Sequence, residues 1–286
     1  MMRTAAILTS AICGLGVTLP AHACTEFNLA AQQVGDSEYS PNNLSPVALQ
    51  IEIFLIDGPA EASCASNVVE IESQTASGVR ELIDGGPTIS GTIPPGQSVF
   101  SSYTDRTLRL SQPAVSQLTS TGRLLFEYAW IEPGAFFPAG SYSNLLDVKV
   151  NGVPVDTVEP QLVVSPAMRL LGDVSDGHGQ IDFETLESSE QITSNFIYQS
   201  NANLSVTAQS LNNGTLVHED GPGVYSIPYA AFINDRAIST NGAQSLPLSS
   251  NMGAHNMGTV RLRVGDIGAP VAGDYADTLT LSFTTD

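Results

Sequence analysis

Short runs of alternating apolar and polar residues recur along this chain and restrict its fold more than any other feature. In the clearest run, GDYADTLTLSFTTD at 273–286, Leu279, Leu281 and Phe283 alternate with threonine and serine. Such alternation is typical of a strand that buries one face. Turn residues recur at intervals of roughly 8–12 residues and helical patterns are almost absent, which predicts an all-β sandwich architecture. The predicted strands are Leu49–Ile56, Thr107–Leu110, Gly122–Trp130, Leu145–Val150, Leu204–Ala208, Ser226–Ile233, Thr259–Val264 and the final run.

One sequence pattern occurs twice. PAGSYSNLLDVKV at 138–150 and VAGDYADTLTLSF at 271–283 share Ala-Gly-x-Tyr followed by an alternating run, 133 residues apart. A second matched strand precedes each copy, after Gly122 and after Gly258. Two matches in the same order predict a duplicated β domain, with units at 24–153 and 168–286. Residues 154–167 contain Pro154, Pro160 and Pro166 and are predicted to form an extended connector.

Residues 1–23 are predicted to be a secretory signal peptide. Arg3 precedes an apolar run, and Ala-His-Ala at 21–23 forms a cleavage motif. The run is too short to span a membrane, so we expect an exported protein without membrane insertion. Export brings Cys24 and Cys64 into an oxidising compartment, where two cysteines predict one disulfide. Two free thiols, or lipidation of Cys24, are the alternatives.

The charge balance argues against two classes of partner. The chain has 10 Lys and Arg against 29 Asp and Glu, a net charge of −19. A surface of this charge repels phosphate backbones and anionic lipids. We therefore expect neither nucleic acid nor a membrane surface as a partner.

No catalytic or metal-binding motif is recognisable in the sequence. Three histidines outside the predicted signal peptide have no second histidine or cysteine at ligand spacing, and they are predicted to be surface residues: His178, His218 and His255. The spacing of Asp173, Asp176 and Asp182 does not match the EF-hand loop. We therefore expect no cofactor, no metal and no enzyme activity, although a carboxylate pair for glycoside hydrolysis remains open.

The final segment resembles the closing strand of spore coat protein U domains, the subunit domains of archaic chaperone–usher pili of Gram-negative bacteria. The family pattern A-G-x-Y-x-D-T-hydrophobic-T is matched by Ala272, Gly273, Tyr275, Asp277, Thr278, Leu279 and Thr280. IDFETL, with Glu184 in place of the family's glycine, SNANLSVTAQSLNNGTLVHE and SIPYAAFIN are also similar to family segments. The resemblance covers 168–286 well. Over 24–150 it depends on the Ala-Gly-x-Tyr strand and the two early cysteines.

This resemblance implies an immunoglobulin-like sandwich that lacks its own last strand. In the family, a periplasmic chaperone fills the groove beside the C-terminal strand, and the N-terminal strand of an adjacent pilus subunit then replaces the chaperone at the outer-membrane usher. The groove residues carried over to this chain are Leu279, Leu281 and Phe283. The resemblance thus predicts two tandem immunoglobulin-like β-sandwich domains, the second incomplete, in a protein that reaches a cell-surface pilus through the periplasm.

The expected disulfide also suggests a position in the pilus. With Cys24 bonded to Cys64, no free arm is left to donate. In the family, a two-domain subunit that accepts a strand without donating one is a tip adhesin, so the resemblance implies a non-enzymatic tip adhesin that mediates surface attachment. Candidate surface-binding residues lie in two loops rich in proline and glycine: Ile93, Pro94, Pro95, Phe136 and Phe137. For Phe136 and Phe137 the alternative is that they close the end of the sandwich. The rival function is a free secreted carbohydrate-binding module or hydrolase.

Overall fold

The computed structural model describes residues 24, 27–35, 37–75, 78–85, 87–93, 97–183, 185–222 and 225–285. The predicted signal peptide, Pro94, Pro95 and Glu184 lie outside these residues. Within them the secondary structure is almost entirely β, as predicted, and the chain forms two units with separate hydrophobic cores. One core draws on residues between Phe27 and Val164, and the other on residues between Met168 and Phe283.

The described residues of the first unit form thirteen strands and one α-helix. They are β1 Leu29–Val34, β2 Glu38–Tyr39, β3 Val47–Leu55, β4 Val69–Ser73, β5 Glu81–Ile83, β6 Thr88–Ser90, β7 Phe100–Tyr103, β8 Thr107–Leu110, α1 Gln112–Thr121, β9 Arg123–Ile131, β10 Gly140–Ser143, β11 Leu146–Val150, β12 Val153–Val158 and β13 Gln161–Val164, with a 3-10 helix at Ala62–Ser66. Three sheets surround the core, in the orders β1-β3-β9, β2-β13-β10-β5-β6 and β12-β11-β4-β8-β7.

The second unit contains ten strands. They are β14 Met168–Leu171, β15 Gln191–Ser200, β16 Leu204–Ser210, β17 Thr215–His218, β18 Ser226–Ile233, β19 Arg236–Ile238, β20 Asn241–Leu248, β21 His255–Val264, β22 Tyr275–Ala276 and β23 Leu279–Thr285, with a 3-10 helix at Gly172–Val174. The larger sheet has the order β14-β15-β21-β18-β17-β22, with β19 beside β18. The smaller sheet has the order β20-β16-β23.

The helix α1 is the main departure from the predicted all-strand pattern. The Ser111 side chain accepts a hydrogen bond from the backbone N–H of Ala114, which caps the first turn. Pro113 occupies an early helical position, and Gly122 ends the helix in the left-handed conformation at φ 75°. These are ordinary helix start and stop signals, but the intervening QPAVSQLTST is rich in Ser and Thr and does not suggest a helix by composition.

The predicted connector at 154–167 is largely folded into the first unit. Strand β12 pairs with β11, and β13 pairs with β10, where Leu162 and Val164 are buried in the first core. Pro154 is tolerated because β12 is an edge strand and its pairing is irregular opposite Val148 and Lys149. Only residues 165–167 separate β13 from β14.

The predicted disulfide between Cys24 and Cys64 is present. Cys64 is buried within the 3-10 helix that packs against α1. The bond spans 40 residues of sequence. In the chain-entropy account, a closed loop of this length contributes roughly 4 kcal/mol to stability. It also ties residue 24 to the body of the first unit.

Candidate strand-acceptor groove

The sequence repeat is visible in the tertiary structure at the strands that end each copy. The Tyr142 hydroxyl donates to the Pro138 carbonyl over 2.7 Å, and the Tyr275 hydroxyl donates to the Val271 carbonyl over 2.8 Å. Strand β11 then pairs with β4, and β23 pairs in the same antiparallel sense with β16. Strands β11 and β23 are therefore structural counterparts.

The two counterparts differ in what lies on their other edge. Strand β11 has a second neighbour, β12, which follows it through the Asn-Gly turn at 151–152. Strand β23 pairs with β16 over all seven of its residues, and no other strand of the described part of the chain pairs with it. The first unit thus completes its sheet with its own chain, whereas the second leaves the edge of β23 open.

The open edge leaves apolar side chains incompletely covered. Leu146 and Val148 on β11 are both 0% exposed, whereas their counterparts Leu279 and Leu281 on β23 are only half-buried. Phe283 is half-buried as well. All three predicted groove residues therefore share one face of β23, as the alternation indicated, and they contact the second core without being enclosed by it.

These side chains line a groove of about 1170 Å³. Its walls include β23, the residues from 270 that precede it, and most of segment 177–186. The apolar side chains around the groove include Leu170, Val174, Ile181, Phe183, Leu186, Phe196, Leu216, Ile227, Tyr229, Val260, Leu262, Val271, Tyr275, Leu279, Leu281 and Phe283. Both sheets of the second unit contribute, so the groove opens directly onto the second core.

Phe196 and Gly258 shape the groove lining. Phe196 on β15 lies opposite Gly258 on β21, and a Cβ atom on Gly258 would collide with the Phe196 ring. The ring centroid is 5.7 Å from that of Phe283 at an interplanar angle of 58°. In the sequence, Gly258 is recognisable only as the residue that leads into a repeated strand. Its close approach to an aromatic ring became evident only with the cross-strand register.

A polar cluster fixes the start of β23. The Asp277 carboxylate accepts hydrogen bonds from the Ser210 hydroxyl (2.5 Å), the Tyr229 hydroxyl (2.6 Å) and the Asn212 backbone N–H (3.0 Å). The Ser210 oxygen also accepts from the Gly214 N–H over 2.7 Å, which ties the 211–214 turn to the same cluster. The equivalent residue of the first unit, Asn144, accepts from the Ser73 hydroxyl over 3.1 Å. The sequence indicated Asp277 only as part of a family pattern.

The buried tyrosines predict a loss of stability in alkali. Burial raises the pKa of Tyr229, and its hydrogen bond to Asp277 raises it further. Burial likewise raises the pKa of Tyr128 in the first unit. Because the unfolded phenol ionises near pH 10, the stabilisation is complete below about pH 10 and is lost as the pH rises further. We therefore expect each unit to unfold at a lower urea concentration at about pH 11 than at about pH 9. Tyr229→Phe should weaken this pH dependence in the second unit only, and midpoints that do not change over this range would contradict the prediction.

The other candidate residues that the structure describes do not line the groove. Phe137 packs against the first core with its ring centroid 5.9 Å from that of Tyr39. Phe136 lies beneath the Arg169 guanidinium of the second unit, 4.5 Å from ring centroid to Cζ. Ile93 also packs against the first core. These contacts favour the alternative in which Phe136 and Phe137 close the end of the sandwich, and a surface-binding role for either loop stays a prediction.

One histidine prediction was wrong. His218 is only 3% exposed, because β17 carries it between neighbouring strands and its ring packs edge-on against Tyr275 at 5.1 Å. Its Nδ1 accepts from the Asp220 N–H over 3.1 Å, and its Nε2 lies 3.2 Å from the Ala272 carbonyl oxygen. His178 and His255 are exposed. Among the described residues, no three His, Cys, Asp or Glu side chains converge as metal ligands would. No helix in this part of the chain is long and apolar enough to cross a membrane.

No protein-family model and no curated protein matches the sequence. Among solved structures, the chain is similar to the CsuC–CsuE chaperone–tip adhesion subunit complex of Acinetobacter baumannii Csu pili, with 15% identity, a TM-score of 0.42, and coverage of 89% of this chain and 99% of the other. For the CupB6 tip adhesin of Pseudomonas aeruginosa the identity is 12%, the TM-score 0.31 and the coverage 91% and 95%. For the CooA pilin of enterotoxigenic Escherichia coli the identity is 18% and the TM-score 0.30, with coverage of 42% of this chain and 88% of the other. Membership of the spore coat protein U family stays a prediction.

Proposed function

We propose that this chain is a non-enzymatic subunit of an archaic chaperone–usher pilus and that it receives a β-strand from a partner along the open edge of β23. The strand would come first from a periplasmic chaperone and then, at the outer-membrane usher, from an adjacent pilus subunit. One observation carries the proposal. At equivalent positions of a duplicated fold, β11 is covered by β12, whereas β23 borders an apolar groove.

A β-strand fits this groove better than a compact ligand does. The edge of β23 presents backbone N–H and C=O groups over seven residues, which a strand can pair in register. Alternate side chains of that strand would then enter the groove and cover Leu279, Leu281 and Phe283. An open apolar edge is otherwise an aggregation hazard, which explains why a chaperone would be needed.

Cys24 and strand β1 support a subunit that receives a strand without donating its own β1 residues. Cys24 is bonded to Cys64, and all six residues of β1 pair with β3. These residues are therefore used inside the first unit. We propose that the first unit acts as an adhesin at the tip of the pilus, on the cell surface.

A fused donor strand tests this proposal. An Asn-Gly turn like that at 151–152, where both residues have positive φ (52° and 81°), would follow Asp286 and lead into a strand with alternating apolar residues. We expect the fusion to be monomeric and its second unit to melt at least about 10 °C higher than that of the parent chain, because the groove is filled. The control carries serine at the apolar positions of the added strand. A parent chain that is already monomeric and melts at the same temperature as the fusion would overturn the proposal and favour the free secreted module or hydrolase.

A further inference from the structure

We infer that the groove selects a strand whose outward-facing side chains are cationic rather than acidic. This inference rests on the proposed strand-acceptor function. The described residues that line the groove include the carboxylates of Asp182, Asp274 and Asp277 but no lysine or arginine. His178 is the only basic side chain among them.

The carboxylates occupy two kinds of position. Asp182 and Asp274 are exposed at the rim, where the outward side chains of an added strand would pass. Asp277 is half-buried and bonded to Tyr229 and Ser210, so it adds negative potential without being free to pair. The negative charge of the rim is therefore carried by two groups that solvent and an incoming strand can both reach.

The arginines of the second unit lie elsewhere. Residues 168–286 contain four arginines and no lysine. Arg169 contacts Gln199 and the Phe136 ring, whereas Arg261 and Arg263 lie over the Phe232 ring at 4.3 and 5.4 Å. Arg236 is exposed on β19. Positive charge is thus separated from the groove, and the acidic rim is not neutralised by its own unit.

The acidic rim gives the groove a preference for basic strands but does not exclude other strands. Exposed charge pairs are individually weak and are screened by salt, while the apolar contacts and the backbone ladder supply most of the affinity. An acidic strand would meet like charge at the rim, and strands from other copies of this chain, whose net charge is −19, would bring more of it. The rim therefore favours a basic partner and disfavours pairing between copies.

Three synthetic strands test the preference. Each is about ten residues long with the same apolar residues at alternate positions, and the outward positions carry Lys, Ser or Glu. Binding to the chain from Cys24 onward would be measured by fluorescence anisotropy at about 20 mM and about 500 mM salt. We expect affinity in the order Lys, Ser, Glu, with about a five- to tenfold difference between Lys and Glu at low salt that disappears at high salt. If the free chain self-associates, the yield of monomer after refolding with each peptide should follow the same order.

Two double variants test whether the preference for basic strands comes from Asp182 and Asp274 or from the net charge of the chain. Asp182→Asn with Asp274→Asn should remove most of the preference, because the Asp182 carboxylate is bonded only to Gln180 and the Asp274 carboxylate contacts no donor among the described residues. Glu61→Gln with Asp105→Asn makes the same charge change at exposed sites of the first unit and should leave the preference unchanged. A preference that persists in the groove variant comes from net charge and overturns the assignment. Equal binding of all three peptides also overturns it, whereas failure of every peptide to bind counts against the strand-acceptor function itself.

Discussion

Leu281→Asp is expected to abolish strand capture while leaving the first unit folded. Leu281 lies opposite Ala208 in the ladder, and its half-buried side chain lines the groove. A bound strand would complete its burial. Full burial of a leucine contributes about 1.5–3 kcal/mol, and roughly half of that remains to be gained for this half-buried side chain. A carboxylate at this position would instead be enclosed without a partner. We expect the affinity for the serine-substituted peptide to fall by at least about a hundredfold.

Ser282→Asp is the matched control for this substitution. Ser282 is the next residue of β23, it lies opposite Thr207, and its exposed side chain does not line the groove. The same charge is added to the same strand, but on the solvent side. We expect the control to bind the peptide within about threefold of the parent chain, since exposed substitutions cost little. Equal losses in both variants would show that Leu281 does not face the bound strand.

Asp277→Ala is expected to destabilise the second unit by about 3–5 kcal/mol, because several hydrogen bonds lose their acceptor together. The hydroxyls of Tyr229 and Ser210 and the N–H of Asn212 all donate to this carboxylate. Without it, the turn at 211–214 and the first residues of β23 lose their common anchor. The loss would be measured as the free energy of unfolding in urea, together with faster amide exchange along β23.

Two further variants serve as controls for Asp277→Ala. Asp274→Ala removes a nearby exposed carboxylate and should change stability by less than about 0.5 kcal/mol. Asn144→Ala removes the equivalent residue of the first unit, which is 2% exposed, and should destabilise that unit only. If Asp277→Ala has no larger effect than Asp274→Ala, the cluster does not anchor β23.

Part of the candidate groove could be predicted from the sequence. The alternation of Leu279, Leu281 and Phe283 placed them on one face of a strand, and the structure confirms that placement. Their role in accepting a strand came from a family resemblance and stays a proposal. The sequence did not indicate the contributions of Phe196, Gly258 and the 177–186 segment, because these residues meet β23 only after distant strands have paired.

Local periodicity determined the strands of this protein, and the repeated Ala-Gly-x-Tyr pattern predicted two units. Each predicted strand is present, with ends shifted by at most a few residues, because alternation and turn residues act over short distances along the chain. The same local reasoning misassigned 154–167, since Pro154 marks a connector and an edge strand equally well. Only the tertiary structure decided that β12 covers β11 and that no second strand among the described residues pairs with β23. Strand neighbours are set by long-range pairing and by the packing of two sheets around one core, and a period of two residues carries no information about either.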